Sequence, residues 1–239
     1  MRLVHNRRVP NVRGLFLVFC AAQWQACAAI GSTQTADTVG AGRLQVGVEP
    51  GVTALVPRTS TEQPSLTPLF DVSVRYGAAE RLDLGVRAGQ SGLGLETKVM
   101  LTPRRWPLLV SVAPTVSARL EPSGEPLAIV GQTFSAALPL LIGVRLGPHQ
   151  LVLGPRAQGF VFLPNDGARA SYRVLMAGCS LGVALRISRA VAVMPELAVL
   201  LPLVQGGDAP RSGAGLPVQL KLGFLLGEPA NLFTDVHTP

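Results

Sequence analysis

Hydrophobic and polar positions alternate with a period of two along most of the chain between about residues 43 and 227. The pattern is cleanest between residues 68 and 102. Phe70, Val72, Val74 and Tyr76 share one face and Asp71, Ser73 and Arg75 the other, as a strand with successive side chains on opposite faces requires. Gly77-Ala78-Ala79-Glu80 turns the chain, and Leu82, Leu84, Val86 and Ala88 then alternate with Arg81, Asp83, Gly85 and Arg87. After Gly89-Gln90-Ser91-Gly92, Leu93, Leu95, Thr97, Val99 and Leu101 alternate with Gly94, Glu96, Lys98 and Met100. This is a three-stranded β-meander with no charge on its apolar face.

The same period predicts further strands over residues 43–56, 107–120, 131–146, 150–163, 172–187, 190–203 and 216–227, ten in all, an even number that suits antiparallel closure. Within 150–163, Phe160 and Phe162 fall on the face of Arg156 and Gln158, so a bulge near Pro155 is expected to restore parity. Connections after the second, fourth, sixth and eighth strands are tight, while most of the others are longer and polar. Tyr76 and Trp106 map to one rim, Phe70 and Tyr172 to the other. Pro50, Pro114, Pro139, Pro155 and Pro195 lie within strands, where each removes a ladder donor. An open sandwich with several edge strands accommodates them more easily, which keeps a soluble periplasmic β-sandwich lipoprotein domain as an alternative.

Composition separates a greasy-inside soluble barrel from a greasy-outside membrane barrel. Only 15% of the chain is charged, 48% is hydrophobic and the mean hydropathy is +0.37. A solvated outer face needs dense Lys and Glu, whereas the polar face here is largely Gly, Ala, Ser and Thr with scattered charges, which suits a cramped lumen. The expected fold is all-β, an antiparallel up-and-down transmembrane β-barrel of about ten strands. The turn Arg75-Tyr76-Gly77-Ala78-Ala79-Glu80-Arg81-Leu82-Asp83-Leu84-Gly85 resembles hairpins of bacterial outer-membrane β-barrel proteins, some of them predicted lipoproteins. That resemblance implies the fold, a place in the outer membrane of a Gram-negative cell and outer-membrane lipid as partner. It brings no catalytic residue with it.

The first residues are basic and are followed by the apolar run 15–22, the layout of a secretory signal peptide. The expected organisation is a signal peptide over 1–28, a periplasmic lead-in over 29–42, the barrel over 43–227 and a tail over 228–239. Two processing readings stand side by side. Cys27 after Ala26 is a lipidation candidate resembling a bacterial lipoprotein site, although Trp24-Gln25 departs from its usual wording; Ala26-Cys27-Ala28 is also a small-x-small site for ordinary signal peptidase. The precursor carries a net charge of +7, and losing Arg2, Arg7, Arg8 and Arg13 leaves +3, too dispersed for nucleic acid.

Candidate chemistry is sparse. The three histidines are His5, His149 and His237, none of which the strand pattern puts at the outer rim, so a hydrolytic centre is not expected and the chain reads as a non-enzyme without cofactor or metal. What remains is a set of inward charges: Glu49, Asp71, Arg75, Arg81, Asp83, Arg87, Glu96, Lys98, Arg119, Arg145, Arg156, Arg186, Glu196 and Lys221. Paired, they make a plugged lumen in a structural or surface-interacting barrel. An unpaired ring of Arg75, Arg145 and Arg186 makes instead a narrow, porin-like, anion-preferring pore.

Overall fold

The computed structural model describes residues 30–57, 63–122, 129–165, 171–207 and 215–227. Its strands are β1 (Leu44–Val56), β2 (Ser65–Ala79), β3 (Leu82–Gly89), β4 (Gly92–Met100), β5 (Leu108–Val112), β6 (Thr115–Pro122), β7 (Ile129–Leu146), β8 (His149–Pro164), β9 (Tyr172–Arg186), β10 (Val191–Gly207) and β11 (Leu216–Leu226). All neighbours are antiparallel, β1 pairs with β11, and β3–β4 pairing joins the two ends of the sheet order. Strands β5 and β6 run end to end between β4 and β7, so the ring has ten staves. The result is a closed barrel, not the two-sheet sandwich held as an alternative.

The alternation read from the sequence sets the two faces. Outward are Phe70, Tyr76, Leu84, Leu93, Leu138, Leu197 and Leu220, each exposed, while Asp71, Arg75, Asp83, Glu96, Glu196 and Lys221 on the opposite face are buried. This inverts the arrangement of a soluble domain, in which large apolar side chains go inside and charges out.

The prolines that argued for an open sandwich sit at local gaps in the ladder. Pro50 pairs with Phe70 of β2 where β11 skips from Val48 to Gly51. Pro155 pairs with Cys179 of β9 where β7 skips from Pro139 to Ile142, and Pro195 pairs with Leu222 of β11 where β9 skips from Val193 to Glu196. Pro114 separates β5 from β6, opposite Pro139. Ala113 N donates to Pro139 O at 3.0 Å and Thr97 N to Pro114 O at 3.0 Å, which bridges the break. Pro50, Pro139, Pro155 and Pro195 therefore keep their pairing on one side and lose it on the other, while Pro114 lies in the break itself.

Two expectations are corrected. The β8 register runs unbroken from Gln150 to Phe162 against β9, so there is no bulge at Pro155, and Phe160 and Phe162 point into the lumen at 9% and 8% exposure. Tyr172 is likewise not a rim aromatic facing outward; it is half-buried and stacks on Phe162 with ring centroids 5.2 Å apart. The aromatic pair gives the extra-long wall β7–β10 its own small apolar filling, which satisfies Phe160 and Phe162 without a change of parity.

The larger correction concerns the lead-in. Residues 30–39 do not lie outside the barrel; nearly all of them are buried inside it, with Ala36 and Thr33 fully enclosed. Gly42 N donates to Gly77 O at 2.8 Å and Gly77 N to Arg43 O at 2.9 Å, so the segment bends back into the lumen at the tight-turn end. Gly77 permits this approach, because a β-carbon there would overlap the backbone of Gly40. Gly223 makes the same allowance for the side chain of Thr33.

Candidate functional site in the lumen

One wall of the lumen, formed by β1–β4 and β11, carries a dense ion-pair network. Glu49 meets Arg87 and Lys221 at 3.1 Å each and Arg75 at 3.7 Å. Asp71 lies 3.1 Å from Lys221 and accepts from both the amide and the hydroxyl of Ser91. Glu96 bridges Arg87 at 2.7 Å and Arg75 at 3.2 Å, and Asp83 holds Lys98 at 3.1 Å. On the opposite wall Arg156 faces Glu196 at 3.5 Å. These are five carboxylates and five cations, all below a tenth exposed, so the network carries no net charge of its own. Strand alternation places each of them: every one sits on the inward parity of its strand.

The remaining predicted lumen residues divide. Arg145 binds Asp37 at 3.0 Å, and Arg119 pairs with Glu121 at 3.7 Å. Arg186 donates to the backbone carbonyls of Ser188 and Arg189 at the tight-turn rim. Arg81 is exposed in the β2–β3 turn and takes no part in the network. An unpaired ring of Arg75, Arg145 and Arg186 is therefore absent among the described residues. Cys27, the lipidation candidate, lies outside the described residues, and Cys179 is a half-buried free thiol on the outward face of β9.

The strap, residues 30–39, has no strand partner, so its backbone groups are satisfied by wall side chains. Wall cations take its carbonyls. Arg156 Nη1 donates to Ile30 O, Lys221 Nζ to Gly31 O at 3.2 Å, Arg75 Nη2 to Thr33 O at 3.3 Å, and Lys98 Nζ to Asp37 O at 2.5 Å. Wall acceptors take its amides: Gly31 N donates to Gln219 Oε1 at 2.7 Å, Ala36 N to Gln150 Oε1 at 2.9 Å, and Val39 N to Asp83 Oδ1 at 3.0 Å. Gln34 Nε2 donates to Glu96 at 2.9 Å, joining the strap to the ion-pair network.

Apolar contacts come from around the lumen, β4 and β11 of the charged wall included. Ala36 packs with Met100, Leu109, Leu141, Met194 and Leu225, and Ile30 with Ala198 and Leu200. Sequence reasoning assigned the inward parity to polar residues and so passed over Leu109, Leu141 and Leu200, which are wholly enclosed. It also missed Asp37 and Arg104, which pair at 3.1 Å where the strap leaves the lumen. The signal for the apolar residues was their parity; Asp37 lies in a stretch with no period, where parity says nothing.

Two cavities flank the strap. One of about 100 Å³ opens at the tight-turn end beside Asp37, Arg145, His149 and Arg186. Another of about 40 Å³ lies deeper, among Ser32, Arg87, Ser117, Ser135 and Arg156. His149 Nδ1 accepts the amide of Arg186 at 3.2 Å, and no group of three or more metal-ligating side chains occurs among the described residues.

No protein-family model matches the chain, and no characterised protein matches it in sequence. Solved structures with a similar strand arrangement include Neisserial surface protein A, at 10% identity and a TM-score of 0.40 over 77% of this chain and 96% of that one. Ail, the attachment invasion locus protein of Yersinia pestis, aligns at 9% identity and a TM-score of 0.39 over 78% of this chain and 99% of that one. An outer membrane channel from Pseudomonas putida F1 aligns at 9% identity and a TM-score of 0.42 over 82% of this chain and 99% of that one. All three are bacterial outer-membrane or surface proteins; at this distance the likeness is one of barrel architecture, and it assigns no role to the chain.

Proposed function

We propose that the chain is an integral outer-membrane β-barrel closed by its own N-terminal strap, with a structural or surface-interacting role and no part in solute passage. The outer face supports membrane residence: an almost continuous apolar surface with Leu66 68%, Leu93 61% and Leu138 56% exposed is tolerable in lipid and not in water. Apart from the short β3–β4 turn and the longer β4–β5 connection, short connections at one end and longer ones at the other match periplasmic turns and outer loops. The observation that carries the closed lumen is the burial of residues 30–39 against the ion-pair network and the apolar cluster. A ring of about eight staves is filled by side chains alone, and ten add little width, so a strap of ten residues occupies what remains.

The test is planar-bilayer recording of refolded protein alongside fractionation. The closed-barrel reading expects pelleting with outer membranes, resistance to carbonate, a mobility change on boiling and no steady conductance. Steady anion-selective openings in the intact chain overturn the closed lumen and promote the narrow pore. Release by carbonate with no mobility change overturns membrane residence itself.

A further inference from the structure

The strap has a direction. At the tight-turn end Gly42 is bonded to Gly77 and Val39 to Asp83; further in, Ala36 meets Gln150 and Ser111; further still, Gly31 meets Lys221 and Ile30 meets Gln219 and Arg156. Read backwards along the chain, the contacts climb the wall towards the loop end. Gln219 stands near the loop-end start of β11, whereas Leu226 ends that strand beside the tight turns. Ile30 packs at that level on Ala198, the register partner of Gln219, and on Leu200 just past it in β10, a strand that continues to Gly207 on the loop side.

We infer that the strap is threaded through the barrel from the loop mouth to the tight-turn mouth, so that the chain ahead of Ile30 is presented on the outer side of the membrane. This rests on the membrane orientation proposed above. Two physical points oppose a return to the periplasmic side for a chain that begins at Cys27. The stretch from Gln219 to Leu226 is about 24 Å along the strand, or about 17 Å along the barrel axis at a tilt near 45°. The three residues from Ile30 back to Cys27 reach at most about 11 Å when fully extended. Part of the path down is also taken by the strap itself, with Thr33 against Gly223 and Ala36 against Gly143.

The inference changes what Cys27 can do. An acyl group on a lipoprotein whose anchor lies beside the periplasmic turns enters the inner leaflet of the outer membrane. Under this threading, acylation of Cys27, which lies outside the described residues, is expected to put the acyl group on the loop side. If ordinary signal peptidase processes the chain instead, the free amino terminus takes that place, and the chain displays a short N-terminal peptide to the outside.

The experiment places one epitope directly ahead of Ile30, a second in the 123–128 connection and a third between Gly147 and Pro148, and compares antibody labelling of intact and permeabilised cells. The expected result is that the first two are labelled on intact cells to at least half the permeabilised signal, and the third only after permeabilisation. Labelling of the 123–128 epitope on intact cells with the Ile30 epitope hidden until permeabilisation overturns the threading and leaves the membrane orientation intact. The converse pattern, with Gly147-Pro148 exposed and both other epitopes hidden, overturns the orientation while keeping the threading direction. Where an insertion lowers the heat-modifiable fraction, Ala29→Cys in a chain carrying Cys179→Ser gives the same reading with a membrane-impermeant maleimide, since an acylated or cleaved Cys27 leaves position 29 as the reactive thiol.

Discussion

Lys98 and Asp83 show what a single side chain decides here. Lys98 Nζ joins Asp83 at 3.1 Å and also donates to Asp37 O at 2.5 Å, so one cation ties two strands to the strap. Both partners are almost wholly enclosed. Removing one leaves the other buried without compensation, a loss of about 3–5 kcal/mol, whereas removing both is milder. Lys98→Met or Asp83→Asn alone is therefore expected to lower the denaturant midpoint of the boiling-dependent mobility change sharply, and the double variant to lower it by less than the two together. A second residue-scale prediction concerns fit. Gly223→Ala drives its methyl into Thr33, so it should cut refolding yield, and adding Thr33→Gly should restore it. Failure of that rescue would mean that Thr33 does not lie on Gly223.

At the scale of elements, the strap has no regular structure and yet is hydrogen-bonded to the wall along its length. Its amides at Gly31, Ala36 and Val39 donate to the buried acceptors Gln219, Gln150 and Asp83, and Asp83 also holds the wall cation Lys98. Hydrogen exchange of these amides should be as slow as that of the β1 and β11 strand amides; exchange at the rate of an open segment would place the strap outside the barrel. Deleting residues 30–39 strips Lys98, Arg156 and Lys221 of carbonyl acceptors and opens the apolar cluster around Leu141. The expected outcome is a lower refolding yield and, in the barrels that do close, conductance above that of the intact chain.

For the whole molecule, burial and balance of charge act together. The network of Glu49, Asp71, Asp83, Glu96 and Glu196 with their cations is sealed from solvent, and added ions screen such pairs far less than exposed ones. The mobility-change midpoint should therefore be nearly the same at about 0.05 M and about 0.5 M salt, spanning Debye lengths of roughly 14 to 4 Å. A strong salt dependence would show that the pairs are hydrated and the lumen open to water.

The strand alternation determined the number of staves, their direction and the face of nearly every inward charge, because a period of two is a local property that each residue reports with its immediate neighbours. Arg75, Glu96 and Lys221 could be placed inside on that ground alone. Phe160 and Phe162 were legible too, since their parity with Arg156 was correct and only a preference for polar lumens argued against it. The proline gaps were not legible, because which side of Pro50 or Pro195 loses its partner depends on the neighbouring strand. The strap was least legible of all. Residues 30–39 have no period, and Ile30 reaches its partner Gln219 across 189 residues of chain. Only closure of the barrel brings those residues together, since the ring must leave a space that unpaired backbone can fill before wall cations find carbonyls to bind.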